Sequence, residues 1–305
     1  MPEAPYAVLL MAYGAPLAPE EVEPYLLDVR GGRPTPPAVI EELERRYLAI
    51  GGRSPLLERT QEQAAALQDR LGGPAVLVGM RHWHPYIRDV LAEARRLRIE
   101  RLIALPMAPH YSRMSIGAYQ RAVQEARGQI EVAFIEQWFD HPKFLEAVAA
   151  RIRQALERFP PSRRPTVPIV FTAHSLPQRI LEDGDPYARQ LKASVAGVLA
   201  RLPPQPHRFA FQSAGQSAEP WLGPDVEATL EELAAQGTDA VLVCPIGFVA
   251  DHLEVLYDVD IALRERARQL GITLARTESL NAHPLLIEAL ADLVISRAQS
   301  RGWTS

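Results

Sequence analysis

The stretch that decides the fold is Val241 to Asp260, VLVCPIGFVADHLEVLYDVD. The apolar run over 240–244 reads as a buried strand, Pro245 and Gly247 as a bend, and Asp251 as the opening of a helix. On that helix Leu253, Leu256 and Leu263 share an apolar stripe, while Glu254 and Asp258, four residues apart, lie along one line of another face. Asp251 followed three residues later by Glu254 is also the capping-box spacing, in which both side chains close backbone donors at a helix start, and this is the commoner use of the pattern.

A second stretch weighs against capping. The run over 167–171 is apolar and is followed by Thr172-Ala-His-Ser-Leu-Pro177, which places His174 at the carboxyl end of a strand. In open α/β sheets ligands bind outside the carboxyl ends of the strands, so His174 and Glu254, each just past a strand, can converge on one site. A histidine in such a place more often has a structural role.

Working outward, apolar runs alternate with helical patterns along the whole chain, the signature of parallel sheets. Strands are expected at 7–11, 75–80, 101–106 and 131–135, then at 168–172, 208–212, 240–244 and 273–276. The Pro-rich segment 160–168 divides the chain into lobes of 1–160 and 161–305. Three strand ends correspond between the halves: LLMAYGAP with VFTAHSLP, LVGMRHWHP with FAFQSAGQS, and IALPMAPHYS with VLVCPIGFVADHLE. The expected fold is therefore α/β, with two similar Rossmann-like lobes, each a parallel sheet flanked by helices, and an active-site cleft between them.

Composition narrows the function. With 305 residues and 47% hydrophobic content the chain can bury a substantial core. A net charge of −4 provides no field for nucleic acid or an anionic membrane. Cys244 is the one cysteine, which excludes a disulfide framework or a Cys-ligated iron–sulfur cluster within one chain and suggests a reducing compartment. The apolar runs are short, and Met1-Pro-Glu-Ala-Pro lacks the basic and apolar regions of an export signal. A cytoplasmic protein without integral membrane association is expected. No G-x-G-x-x-G, P-loop or G-x-S-x-G is present, so neither nucleotide binding nor serine hydrolysis has motif support. His82 and His84, two apart on a strand-end loop, have a spacing that can bind metal, although packing or surface roles are commoner where no third ligand is near.

Five segments together carry a resemblance: Leu10-Met-Ala-Tyr-Gly-Ala-Pro16, Arg46-Tyr-Leu-Ala-Ile-Gly-Gly-Arg-Ser-Pro55, Thr172-Ala-His-Ser-Leu-Pro177, Trp221-Leu-Gly-Pro-Asp225 and Gly247-Phe-Val-Ala-Asp-His-Leu-Glu-Val-Leu-Tyr-Asp258. In this order and spacing they resemble the ferrochelatase family over nearly the whole chain. The resemblance implies insertion of Fe²⁺, as substrate, into a porphyrin in haem biosynthesis, with no separate organic cofactor and no iron–sulfur cluster. It implies His174 and Glu254 as the metal-site and acid–base pair. It also implies Tyr13 as an axial ligand to product iron in the coproporphyrin-using branch, and Arg30, Arg46, Tyr47, Ser54, Tyr119 and Trp221 as residues lining the porphyrin. Ala262 departs from the pattern, standing where the family often has a third acidic residue along the helix of Glu254 and Asp258.

The chemistry suits these residues. Metalation must remove two pyrrole protons and strip water from Fe²⁺. An imidazole with an ordinary pKa near about 6.5 can ligate the metal or accept a proton. A carboxylate offers a hard oxygen ligand or a second acceptor, and mixed N/O ligation suits Fe²⁺. Arg30, Arg33, Arg45, Arg46 and Arg53 form a basic set that could pair the four propionates of coproporphyrin III, although any one of them is more often a solvated surface residue. A monomer is expected. The rival readings are a protoporphyrin IX enzyme and, in a different class, a haem or porphyrin carrier without catalysis, which needs an axial ligand and an apolar slot but no acid–base pair.

Overall fold

The apolar runs become parallel strands because each is bounded by proline or polar residues and followed by a helical segment long enough to return the chain to the same end of the sheet. In the computed structural model, which describes residues 6–215 and 219–303, the elements follow in this order. They are β1 (Ala7–Ala12), α1 (Val22–Val29), α2 (Pro37–Ala49), α3 (Leu56–Leu71), β2 (Val76–Met80), α4 (Ile87–Arg96), β3 (Arg101–Pro106), α5 (Ile116–Ala126) and β4 (Glu131–Phe134). Then come α6 (Pro142–Leu156), β5 (Ile169–His174), α7 (Arg179–Glu182), α8 (Tyr187–Leu199), β6 (His207–Gln212), α9 (Val226–Ala235), β7 (Ala240–Cys244) and α10 (Leu253–Leu256). A π-helical segment (Asp258–Leu263), α11 (Arg264–Gln269), β8 (Thr273–Arg276) and α12 (Pro284–Ser300) complete the chain. The N-terminal Met1-Pro-Glu-Ala-Pro and the Gln216-Ser217 end of the FAFQSAGQS motif lie outside the described residues.

The two sheets have the orders β2-β1-β3-β4 and β6-β5-β7-β8, and every strand pair within them is parallel. The correspondence of strand ends seen in the sequence is thus a repeat of topology. The first strand of each half is flanked by the second and third. All six residues of β1 and all five of β7 are buried, as expected of parallel strands covered on both faces.

The units that pack together differ from the lobes expected from the proline-rich linker. Of the described residues, those within Met1–Trp138, Ala250–Leu253 and Asn281–Ser305 form one compact unit, and those within Phe139–Val249 and Glu254–Leu280 form the other. Helix α6 belongs with the second sheet. Its Leu145 fills the space over Gly197 of α8, where a Cβ would lie only 2.6 Å from the leucine Cδ1. Helix α12 belongs with the first sheet, against α3 and β3, and Gln63 of α3 donates to the Asn281 carbonyl at 2.9 Å just before it. Composition marks a proline-rich loop, but packing decides which sheet a flanking helix covers.

The helix expected to open at Asp251 is also different. One α turn, Leu253–Leu256, gives way to the π segment, in which the Ala262 N–H bonds the Tyr257 carbonyl five residues back at 2.9 Å. The buried stripe is Val255, Val259, Leu263 and Ala267, not the leucines at 253 and 256. The wider π turn keeps residues spaced by four on one face, where an α-helix would let them drift round the axis.

Candidate active site

The second unit brings together the two residues singled out at its strand ends. His174 is the last residue of β5, and Glu254 lies in the single α turn that follows β7, the neighbouring strand. The imidazole Nε2 stands 3.5 Å from Glu254 Oε1, and the side chains keep 31% and 33% of their surface exposed, so solutes can reach both. Nδ1 of His174 points at the carbonyl of Ser175. That carbonyl can only accept, so Nδ1 is the donor in this contact, and Nε2 is the ring nitrogen turned toward the carboxylate.

The surroundings hold the pair in place. Tyr187 Oη donates to the His174 carbonyl at 3.0 Å, and burial pushes its phenol above the ordinary range, so it stays a donor. The Ser175 N–H donates to the Gln212 carbonyl at 2.7 Å, and Ser175 Oγ donates to the Leu222 carbonyl at 2.8 Å. The capping-box alternative does not describe the arrangement. Glu254 faces His174, while the Asp251 carboxylate receives Asn281 Nδ2 at 2.8 Å and the Asp251 N–H donates to Asn281 Oδ1 at 2.9 Å. Asp258, one turn beyond Glu254, accepts from Ser213 Oγ. Trp221 is half-buried, and its ring lies over Gly215, where a Cβ would come within 2.4 Å of it. Cys244 is a buried free thiol that desolvation pushes up to about 12, so it is no nucleophile at neutral pH.

The first unit gathers a different set. Tyr13 follows β1 with 43% of its surface exposed, its ring 4.7 Å from that of His82 and 5.7 Å from the Arg81 guanidinium. Gly14 after it has φ +96°, and a Cβ there would lie 2.8 Å from the Trp83 backbone nitrogen, so only glycine lets the chain turn so close to the neighbouring strand end. His82 and His84 have packing roles here. His82 Nδ1 bonds Asp28 Oδ1 at 2.8 Å, with burial lowering the imidazole pKa against the pull of that carboxylate, and the His84 ring packs edge-on against Trp83 and Tyr86.

The remaining expected residues are spread through this unit. Arg30 caps α1 and is exposed, Arg46 of α2 is half-buried, and Tyr47, Ser54 and Tyr119 are buried. Tyr119 packs with Leu9, Met11 and Ile116, and burial raises its phenol pKa. The basic set is partly neutralised within the chain. Arg46 and Arg45 share Glu42, whose carboxyl they hold below its usual range, and Arg53 lies 3.8 Å from Glu58. Sequence reasoning passed over Tyr187, Arg81, Asp28 and Gln212. Gln212 alone left a trace, as a polar residue closing an apolar strand in register with His174.

Among the described residues no group of three or more His, Cys, Asp or Glu is arranged to hold a metal ion, and no helix is long and apolar enough to cross a membrane. Two four-stranded parallel sheets flanked by helices are the architecture of the chelatase fold. SirB from Bacillus subtilis with Fe³⁺ superposes with a TM-score of 0.62 at 10% identity, covering 97% of each chain. CbiX, described as the terminal enzyme for biosynthesis of sirohaem in denitrifying bacteria, gives 0.54 at 12%, covering 95% of this chain and 98% of that one.

A family model described as Ferrochelatase matches residues 5–298. The chain is 45% identical over 297 residues to the ferrochelatase of Herpetosiphon aurantiacus, covering 94% of this chain and 97% of that protein. It is 37% identical over 305 residues to the coproporphyrin III ferrochelatase of Geobacillus kaustophilus, covering 97% and 96%. The chain belongs to the ferrochelatase family, enzymes that insert iron into a porphyrin.

Proposed function

We propose that this ferrochelatase inserts Fe²⁺ into coproporphyrin III and that His174 and Glu254 carry the reaction, with no organic cofactor and no iron–sulfur cluster. The observation that carries the assignment is the 3.5 Å separation of His174 Nε2 and Glu254 Oε1, with the other ring nitrogen turned to the Ser175 carbonyl. Two donors each about 2.1 Å from one metal ion at a tetrahedral angle stand about 3.4 Å apart, so the spacing suits a shared ion. It also suits proton removal. The overall step breaks two N–H bonds and forms four Fe–N bonds as Fe²⁺ sheds its water, releasing two protons, and the pair supplies one nitrogen and one oxygen acceptor. A carrier would need neither.

Coproporphyrin III is favoured by the exposed Tyr13 phenol, an oxygen donor of the kind an axial ligand requires, and by the arginines Arg30, Arg33, Arg45, Arg46 and Arg53, suited to a substrate with four carboxylates. It is also favoured by the relatives named for that porphyrin. We place the enzyme in the cytoplasm as a monomer, consistent with a polar substrate.

The test is an anaerobic insertion assay with coproporphyrin III and protoporphyrin IX side by side. His174→Ala should abolish insertion while porphyrin binding, read by fluorescence quenching, persists. Glu254→Gln should lower turnover at least about tenfold, the loss expected of one acid–base group. Faster metalation of protoporphyrin IX would reverse the choice of substrate, and unchanged insertion by His174→Ala would remove the site.

A further inference from the structure

The paired residues His174 and Glu254 sit on separate elements, and what ties those elements together is a short chain of polar contacts under the site. Thr172 and Gln212 are buried polar residues at the ends of the adjacent strands β5 and β6, with 0% and 2% of their surfaces exposed. Thr172 Oγ1 donates to Gln212 Oε1 at 2.6 Å, and Gln212 Nε2 donates to the backbone carbonyl of Glu254 at 2.8 Å. Thr172 lies two residues before His174 on the same strand, and Gln212 is the register partner of His174 across the sheet. The next residue, Ser213, takes φ 58° and donates its Oγ to Asp258. The end of β6 therefore holds the helical segment at two points one turn apart.

From this geometry we infer that Gln212, oriented by Thr172, is a positioning residue that sets the distance between Glu254 and His174; the inference rests on the assignment of that pair as the reacting groups. The α turn carrying Glu254 is only four residues long and passes directly into the π segment, so its own backbone bonds do little to fix it on the sheet. The Thr172 hydroxyl can donate only to the oxygen end of the Gln212 amide, which turns the NH₂ end toward the Glu254 carbonyl. A reversed amide would set oxygen against oxygen. Removing the amide leaves a buried carbonyl without this donor and frees the turn to move. Neither residue is assigned a contact with the porphyrin or the metal, so its loss should alter turnover and not substrate affinity.

The test is a double-mutant cycle between Gln212→Met and Glu254→Gln in the full chain, with kcat and the coproporphyrin KM from anaerobic iron insertion. Gln212→Met keeps length and volume but removes the amide. Alone it should lower kcat about tenfold, within the range for a sub-ångström misplacement of a reacting group, with KM changed by less than about threefold. In the Glu254→Gln background it should cost less than about twofold, because the group it positions is already disabled. Thr172→Val should lower kcat by a smaller factor and Thr172→Ser should restore it. This arm carries the test if Gln212→Met fails to fold.

A merely structural role would multiply through both backgrounds and would not be rescued by serine, and either result overturns the inference. If Glu254→Gln is impaired while Gln212→Met and Thr172→Val turn over normally, the positioning claim alone is lost. If Glu254→Gln itself retains full turnover, the assignment of the reacting pair has failed.

Discussion

Gly247 should not tolerate even one added methyl. A Cβ there would lie 2.7 Å from Ala173 Cβ and 2.9 Å from Ala173 Cα, and 3.7 Å from the His174 backbone nitrogen. Ordinary contacts begin at 3.4 Å, so the bend after β7 and the end of β5 must separate by about 0.7 Å (3.4 − 2.7). Because one of the obstructing atoms is backbone, no rotamer change relieves the clash. The displaced segments are those that carry His174 and lead to Glu254, and the Gly247 N–H bond to the Thr172 carbonyl at 3.2 Å would stretch with them.

Overpacking of this kind costs about 1–3 kcal/mol of stability, and a misplacement near 1 Å costs about 10²-fold in rate. Gly247→Ala should therefore remain folded with a lowered Tm and lose about 10- to 100-fold in kcat, with coproporphyrin affinity changed by less than about threefold. Single-turnover anaerobic insertion, with fluorescence quenching for affinity, measures both. Adding Ala173→Gly, which deletes the nearer atom, should recover part of the loss. A folded Gly247→Ala enzyme with turnover within twofold of the parent would refute the claim that close approach at this bend sets the geometry of the pair.

Other expectations are simpler to state. Tyr13→Phe should change the absorption spectrum of the iron–porphyrin product while leaving metalation measurable, and an identical spectrum would remove Tyr13 from the coordination sphere. Glu42→Gln, which releases Arg45 and Arg46 from their shared carboxylate, should tighten binding of the tetra-carboxylate porphyrin about two- to threefold at low salt; unaltered affinity would place those arginines outside the substrate rim. His110 is buried, and desolvation lowers its imidazole to about 3. The unfolded chain takes up that proton near about pH 6.5, so the native state is undiminished above this pH and loses stability progressively from about 6.5 down to about 3. By pH 5 the loss is about 2 kcal/mol, and His110→Leu should flatten the fall of Tm between pH 7 and 5. An equal fall in both proteins would show that other groups control acid stability.

Much of this was legible in the residues because the signals are local. A strand buried on both faces must be apolar throughout, as in LLMA and VLVC, and proline or polar residues mark its end, so the alternation and the three matching strand ends could be read directly. His174 stands out for the same reason, as a polar residue closing an apolar run, and Glu254 through its four-residue spacing from Asp258 on the helical pattern that follows one. Which sheet a helix covers is a different kind of fact. Helix α6 precedes the proline-rich loop yet packs on the second sheet, and α12 closes the chain on the first, because shape complementarity at Gly197 and the bond from Gln63 to the Asn281 carbonyl outweigh proximity in sequence.

The site divides along the same line. The sequence by itself determined the chemical inventory: an imidazole at one strand end and a carboxylate past another, a phenol after the first strand, and an arginine-rich stretch around 30–53. Only the tertiary structure decided that Glu254 faces His174 instead of capping a helix. It also placed Arg45 and Arg46 on Glu42 and confined His82 to Asp28 and Tyr13. Each of these is a choice of partner among several polar groups within reach, and the choice is made by the backbone geometry that brings one of them within hydrogen-bonding or ion-pairing distance. The buried contact of Thr172 with Gln212, forty residues apart, shows the principle most plainly, since neither residue has any feature in the sequence that names the other.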